Sequence, residues 1–152
     1  MSTYFYPTLL GDIGIEEQQG AIVEVYLPNE SITKQLNISP TPLTDEAAKQ
    51  LNAYLAGCLK NFNLPLAPQG TLFQQTIWQL LCKIPYGKTI SYKELASLAH
   101  RPKAVRAVGQ ANNKNPIPIF IPCHRVIGSN GQLVGYSGGL SMKETLLYIE
   151  KQ

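Results

Sequence analysis

The sequence predicts an α/β fold with two domains, a small N-terminal sheet that carries one helix and a mainly helical C-terminal domain. Apolar and polar residues alternate over residues 11–18 and 21–27, on either side of a Gln-Gly pair, which is typical of a β-hairpin. After Gly70 the apolar residues recur at helical spacing instead. The chain has 152 residues, of which 44% are hydrophobic and 15% charged, enough for one sizeable core or two small ones.

A helix should pack on the hairpin. Thr44, followed by two acidic residues, is a suitable N-cap for it. The apolar residues that share its buried face are Ala47, Leu51, Tyr54, Leu55 and Cys58. Residues 61–69 hold two prolines among polar neighbours and cannot readily continue a helix. We therefore predict an N-terminal domain over residues 1–65 and a C-terminal domain over residues 66–152.

The C-terminal domain should begin with a helix that a Pro-Tyr-Gly turn at residues 85–87 ends. The buried stripe of this helix consists of Phe73, Ile77, Trp78, Leu81 and Ile84. Two capping boxes follow, formed by Ser91 with Glu94 and by Ser141 with Glu144. The first predicts a helix that starts at Tyr92, and the second predicts a C-terminal helix that ends near Glu150.

The two central helices form a helix-turn-helix pattern. A His-Arg-Pro turn separates them, and Pro102 opens the second helix, which runs to about Asn112. Lys103 and Arg106 lie on this second helix beside small residues, namely Ala104, Ala107 and Gly109. Its outer surface is therefore able to approach a DNA backbone closely.

The charge of the chain is unevenly distributed. The net charge is +3, but residues 1–69 contain seven acidic and three basic side chains, whereas residues 70–152 contain three acidic and ten basic ones. The basic half suggests a polyanionic partner such as DNA, because lysine and arginine bind phosphates. A solvated basic face without a partner is the alternative.

No apolar run approaches the roughly 18 residues that span a bilayer, and the N-terminus lacks the pattern of a signal peptide. We therefore expect a cytoplasmic protein that does not bind membranes. The three cysteines are odd in number and, with only two histidines to assist, match no zinc pattern, so reduced thiols are expected. Cys58 and Cys82 lie on apolar helical faces and are expected in the core.

The third cysteine belongs to a reactive sequence, Cys123-His124-Arg125. It follows an apolar run, residues 115–122, whose prolines favour an edge strand or a buried extended segment. An ordinary thiol is only a few per cent thiolate at neutral pH, so a nucleophile requires a neighbouring base or cation, and His124 and Arg125 supply both. Adjacent residues on a strand point to opposite faces, so proton transfer needs a turn or an intervening water. A buried structural thiol beside an unrelated histidine is the alternative.

The sequence Pro-Cys-His-Arg-Val at residues 122–126 resembles the active-site signature of the O6-alkylguanine-DNA alkyltransferases. The resemblance extends in order and spacing over about 80 residues and includes residues 71–78, 84–87, 91–92, 106–109, 115–116 and 135–140, together with Lys143, Leu146, Leu147 and Glu150. It implies a small N-terminal ribonuclease H-like α/β domain and a C-terminal helix-turn-helix domain of winged-helix type.

The resemblance also implies a function in DNA repair. The protein would transfer an alkyl group from O6-alkylguanine, and from O4-alkylthymine, in duplex DNA to its own Cys123, once and irreversibly, with no cofactor and no metal. By the same resemblance His124 activates Cys123 through a water, and Glu150 orients the imidazole.

The family's substrate-binding residues correspond to four positions here. Tyr92 would donate to the leaving base, and the backbone amide of Ser137 would face O6. The carbonyls of Cys123 and Val126 would accept from the exocyclic amino group. Asn115 would hold the turn before the active-site segment, and a plain Asn-Pro turn is compatible with this role.

The resemblance implies a monomer that binds double-stranded DNA containing alkylated guanine, with the second helix in the minor groove. Arg106 matches the finger residue that fills the gap left by the flipped base, and an ordinary phosphate contact is its alternative role. The other residues expected at the DNA are Lys103, Ala104, Ala107, Gly109 and Arg125.

Two other functions fit parts of the pattern. Alkyltransferase-like proteins keep the pocket and the helix-turn-helix but bind damaged DNA without chemistry; their acceptor cysteine is replaced, whereas Cys123 is present here. A Cys-His hydrolase would regenerate its thiol with water, but the thioether formed by alkylation has no hydrolysable acyl carbon. The sequence therefore favours alkyl transfer.

Overall fold

The computed structural model describes residues 1–28 and 30–152, which divide into two compact units, Met1–Pro68 and Gln69–Gln152. The division follows Pro68, within the proline-containing segment, whereas the predicted boundary follows Pro65. Together the two units have the mixed α/β content that the sequence predicts.

The N-terminal unit contains a three-stranded antiparallel sheet, with β1 (Ser2–Thr8), β2 (Gly11–Gln18) and β3 (Ala21–Tyr26) in sequence order. The predicted hairpin is β2 and β3. Strand β1 was not predicted, because three consecutive aromatic residues hide its alternation. A buried carboxylate joins the strands: Glu16 Oε1 accepts from Thr3 Oγ1 at 2.9 Å and from the Tyr26 hydroxyl at 2.8 Å.

Helix α1 (Pro42–Leu55) packs against all three strands and begins before the predicted cap. Its N-cap is Thr41, whose Oγ1 accepts from the backbone amide of Thr44 at 3.1 Å, while Thr44 Oγ1 accepts from the amide of Thr41 at 2.8 Å. The prediction of Thr44 as the N-cap was therefore wrong, because Thr44 is the third helical residue of a reciprocal capping box. Cys58 lies beyond the helix and is exposed, not in the core.

The C-terminal unit contains four helices and one short parallel strand pair among its described residues. In chain order these are α2 (Leu72–Leu81), β4 (Ile90–Ser91), α3 (Tyr92–Leu98), α4 (Val105–Asn113), β5 (Val126–Ile127) and α5 (Leu140–Glu150). Helices α2 and α3 both pack on α4. The indole Nε1 of Trp78 donates to the carbonyl of Ala111 at 2.9 Å, which fixes α2 against the buried side of α4.

Three helix ends differ from the predictions. Helix α2 ends at Leu81, ahead of the Pro-Tyr-Gly turn. Helix α4 starts at Val105, because Pro102 takes part in a turn in which the amide of Ala104 bonds to the carbonyl of Arg101 at 2.9 Å. Helix α5 starts at Leu140 after Gly139, whose φ of 93° is natural only for glycine, so Ser141 and Glu144 form no capping box. The predicted box of Ser91 and Glu94 at α3 is confirmed.

Within the described residues, none of the helices has the length and apolar character needed to cross a membrane.

Replacing Ser91 by alanine should lower the free energy of unfolding by about 1 kcal/mol, because Ser91 Oγ accepts the amide hydrogen of Glu94 at the start of α3. Ser141→Ala is the matched control and should change stability by less than about 0.5 kcal/mol, since Gly139 precedes α5 without a side-chain cap. Urea unfolding followed by the fluorescence of Trp78, the single tryptophan, measures both. Equal losses of stability in the two variants would contradict the capping of α3 by Ser91 and the start of α5 after Gly139.

Candidate active site

The reactive sequence Cys123–Arg125 forms a 3₁₀ turn in which all three side chains are buried. It lies between the apolar run and strand β5. The amide of Cys123 donates to the carbonyl of Ile121 at 2.8 Å, and the amide of Arg125 donates to that of Pro122 at 3.1 Å. Because the segment is a tight turn and not a strand, Cys123 and His124 are not held on opposite faces of a sheet.

Asn115 shapes the approach to this turn. Its Nδ2 donates to the carbonyl of Ile121 at 2.8 Å, and its Oδ1 accepts from the amide of Ile117 at 3.0 Å. The run between them is buried and compact, with only one isolated bridge, between Pro118 and Ile121, and with Ile119 at a φ of 74°. Both ends of the Asn115 amide are therefore used to fold residues 115–121 into a turn.

The carboxylate of Glu150, at the end of α5, is surrounded by donors. Its Oε2 contacts His124 Nε2 at 2.7 Å and accepts from a terminal guanidinium nitrogen of Arg125 at 2.9 Å. Its Oε1 accepts from Arg125 Nε at 2.9 Å and from the backbone amide of Gly87 at 3.1 Å. This network brings together the predicted residues His124 and Glu150.

Arg125 does not lie on a DNA-facing surface, which corrects its predicted role. Its guanidinium forms the bidentate pair with Glu150, donates to the carbonyl of Ile84 at 2.7 Å and covers the ring of Tyr86, with the guanidinium carbon 5.7 Å from the ring centroid. Only 7% of the residue is exposed. A planar, permanently charged fork of this kind suits a buried carboxylate, and it leaves Arg125 unable to reach phosphate.

Burial controls the ionisation of the site. It raises the pKa of the Cys123 thiol to about 11, although a hydrogen bond from Asn115 and the charge of Lys143 act in the opposite direction. Burial lowers the pKa of His124, and contact with Glu150 opposes this. At neutral pH the resting site therefore holds a neutral thiol and a neutral imidazole, beside an ion pair between Arg125 and Glu150.

Lys143 belongs to the site although the sequence indicated no role for it. The residue has no exposed surface, and its Nζ donates to the carbonyls of Val126 at 2.6 Å, Val134 at 2.8 Å and Gly135 at 3.2 Å. Burial lowers its pKa to about 8, opposed by the charge of Cys123. Lys143 thus joins β5 to the loop before α5. Its place among the residues that resemble the family was the signal available in the sequence.

The carbonyl of Val126, a predicted acceptor for the base, therefore already accepts from Lys143, although a carbonyl has a second lone pair. The hydroxyl of Tyr92 donates to the carbonyl of Val134 at 2.9 Å. Lys143 Nζ lies 5.9 Å from the centroid of the Tyr92 ring. Tyr92, Val126 and Lys143 thus share one side of the site, together with the loop that carries the exposed Ser137.

Most of the residues predicted to contact DNA lie at the start of α4. Lys103, Arg106 and Ala107 are exposed, and Ala104 is partly exposed. Gly109 differs, because it is partly buried and a side chain there would come within 3.6 Å of the Tyr92 ring. A contact of that length is ordinary, so a side chain would fit here, and Gly109 lies beside Tyr92 on a less exposed side of α4 than Arg106 and Ala107.

Cys82, like Cys58, is exposed, so the prediction that both lie in the core was wrong. Each lies at or beyond the last turn of its helix, where the apolar stripe has left the core. Across residues 1–28 and 30–152 the structure contains no group of three His, Cys, Asp or Glu side chains that could hold a metal ion.

The part of the chain that carries this site matches a known protein family. Residues 72–152 match the family model described as the DNA binding domain of 6-O-methylguanine DNA methyltransferase. The chain belongs to this family. The match confirms the resemblance that the sequence showed.

Relatives are similar over nearly the whole chain. The methylated-DNA–protein-cysteine methyltransferase of Methanosarcina mazei is 47% identical over 148 residues, which cover 96% of this chain and 91% of the relative. The constitutive enzyme of that name from Bacillus subtilis is 46% identical over 151 residues, covering 95% of this chain and 92% of the relative. A crystal structure of Mycobacterium tuberculosis OGT in complex with DNA has a TM-score of 0.94 and 39% identity, covering 99% of this chain and 93% of that one.

The raised pKa of Cys123 should be visible in its alkylation by iodoacetamide. In a Cys58→Ser/Cys82→Ser protein, the rate should rise about tenfold per pH unit from pH 7 to 9.5 without levelling off, because burial disfavours the thiolate until the pH approaches about 11. The same protein unfolded in denaturant is the control, and its rate should level off above about pH 8.5. A plateau below pH 8.5 in the folded protein would show that burial does not raise the pKa of this thiol.

Proposed function

We propose that this chain repairs DNA by moving the alkyl group of O6-alkylguanine, in duplex DNA, to Sγ of Cys123 in a single turnover. The observation that carries the proposal is the buried Cys123–Arg125 turn, in which an intact thiol precedes an imidazole bonded to a buried carboxylate. Family membership supports the reaction class. The intact thiol disfavours a protein that only binds damaged DNA.

The reaction is a displacement at the alkyl carbon. A bond forms between Cys123 Sγ and this carbon, the bond from the carbon to O6 breaks, and the electron pair remains on the guanine. The thiol proton ends on the base, so guanine and a thioether are the only products. Since a thioether carries no hydrolysable acyl carbon, the protein is consumed.

His124 is suited to move the thiol proton. Its pKa is lowered by burial, so the imidazole is neutral and able to accept a proton when the thiolate forms. Glu150 contacts Nε2 and stabilises the imidazolium while the proton is held there. Arg125 forms a bidentate pair with this carboxylate and holds it in place. The carboxylate of Glu150, which orients the imidazole, is thus already paired with Arg125.

We propose that the residues that bind the base lie on one side of the site. The Tyr92 hydroxyl, now bonded to Val134, would donate to the leaving base, and the Ser137 amide would face O6. The carbonyls of Cys123 and Val126 would accept from the exocyclic amino group with their remaining lone pairs. O4-alkylthymine is proposed as a second substrate.

We propose that α3 and α4 are a helix-turn-helix of winged-helix type and that the N-terminal unit is a ribonuclease H-like domain. The exposed start of α4, with Lys103, Ala104, Arg106 and Ala107, would enter the minor groove of duplex DNA, and the protein would act as a monomer. The excess of basic residues after position 69 supports binding to DNA, and so does the similarity to an OGT crystallised with DNA. Arg106 would fill the space left by the flipped guanine.

Incubation with a duplex containing O6-methylguanine should add one methyl group, on the peptide that contains Cys123, with product equal in amount to protein. Mass spectrometry of the intact chain and of its peptides measures this. Cys123→Ser should show no addition, and the exposed Cys58 and Cys82 should remain unmodified in the native protein. Sustained turnover, or tight binding of the damaged duplex without methyl transfer, would refute the proposed function.

Arg106→Ala should slow repair of a duplex about tenfold or more, because extrusion of a base costs a few kcal/mol that a finger residue offsets. Reaction with free O6-benzylguanine needs no extrusion and should be unchanged. Arg101→Ala, which removes the same charge from an exposed position before α4, is the control and should affect duplex repair much less. Single-turnover rates of alkyl transfer from both substrates test this prediction. Equal losses of rate on the duplex and on the free base would rule out the finger role.

A further inference from the structure

The side chain of Asn112 lies on the buried side of α4, with 1% of the residue exposed. Its Nδ2 donates to the carbonyl of Cys123 at 3.4 Å. Its Oδ1 is buried and receives no hydrogen bond from any described residue. Buried carbonyl oxygens of this kind are uncommon in folded proteins, and one beside the acceptor cysteine points to a ligand that supplies the missing donor.

Asn112 also lies close to Tyr92. Burial raises the pKa of the Tyr92 hydroxyl, the charge of Cys123 adds to the increase, and a hydrogen bond from Asn112 opposes it. The amide nitrogen therefore faces the Tyr92 hydroxyl and the Cys123 carbonyl, two groups that the proposed function assigns to base binding. Because Oδ1 belongs to the same planar amide, about 2 Å away, it lies beside the same bound base.

The chemistry of the substrate identifies the donor. Alkylation at O6 leaves N1 of guanine without its hydrogen, and N3 and N7 are acceptors, so the only N–H donor on the base is the exocyclic 2-amino group. O4-alkylthymine has no N–H donor, because N3 has lost its hydrogen and N1 bears the sugar. An acceptor without a partner in this site therefore favours guanine over thymine.

We infer that Asn112 Oδ1 accepts a hydrogen bond from the 2-amino group of the flipped O6-alkylguanine and so selects alkylated guanine over alkylated thymine. This rests on the proposed function. The 2-amino group has two hydrogens, so Asn112 Oδ1 takes one of them in place of the carbonyl of Val126, which already accepts from Lys143, and the carbonyl of Cys123 takes the other. The bond from Asn112 Nδ2 to the Cys123 carbonyl fixes the side chain while Oδ1 receives the base.

Single-turnover rates of Cys123 methylation test the inference in a two-by-two design. The proteins are the wild type and Asn112→Leu, which has a similar volume and no acceptor. The substrates are duplexes with O6-methylguanine or with O6-methylhypoxanthine, which lacks only the 2-amino group. The wild type should prefer guanine, and in Asn112→Leu the preference should shrink by about five- to tenfold, the usual effect of one hydrogen bond. O4-methylthymine should gain relative to O6-methylguanine in the variant.

Asn113→Leu, the same change at the next and exposed position of α4, is the control and should keep the wild-type preference. Circular dichroism and affinity for undamaged duplex report the fold, and Asn112→Ala replaces Asn112→Leu if the larger side chain prevents folding. An unchanged preference in the Asn112 variants overturns the inference, and equal losses on both bases assign Asn112 a purely structural role. If the wild-type protein becomes methylated at Cys123, the proposed function stands whatever the Asn112 variants show. If no substrate leads to methylation, the proposed function and the inference are both refuted.

Discussion

The buried carboxylate of Glu150 is the group on which the active site depends. It joins three parts of the chain that are distant in sequence, because it contacts the side chains of His124 and Arg125 and the backbone amide of Gly87. Every donor around it is directed at the same two oxygens. Removing one partner of such a buried pair costs about 3–5 kcal/mol, since an uncompensated charge remains. The end of α5 is thereby fixed to the turn that carries the thiol.

The pairing with Arg125 changes what Glu150 does for His124. A bare carboxylate beside an imidazole would raise its pKa strongly, but here the guanidinium neutralises that charge and burial lowers the pKa of His124. The imidazole is therefore neutral at rest, and in the proposed reaction it gains a proton when the thiol loses one. Arg125 thus has an electrostatic role inside the site, which accounts for its burial far better than a contact with phosphate.

The features that the sequence predicted well are those with a local physical cause. The alternation in β2 and β3 and the capping box of Ser91 with Glu94 depend on neighbouring residues, and both are present. The family resemblance does not depend on such local causes, and it pointed to the thiol, to His124 and to Glu150 although the last two lie 26 positions apart. What the sequence missed has two causes: three consecutive aromatic residues hide the alternation of β1, and Lys143 is held by carbonyls of residues 126, 134 and 135. Arg125 looked like a surface cation because its partner lies 25 positions away.

The neutral thiol agrees with the need for selectivity in a protein that reacts once. A thiolate at rest would be consumed by any small electrophile, whereas a thiol with a pKa of about 11 is almost entirely protonated at neutral pH. The leaving guanine also requires a proton, and the thiol carries one. In the proposed reaction, proton loss from Cys123 and proton gain by the base are therefore two halves of one event. The same burial that suppresses side reactions thus makes the thiol dependent on its substrate.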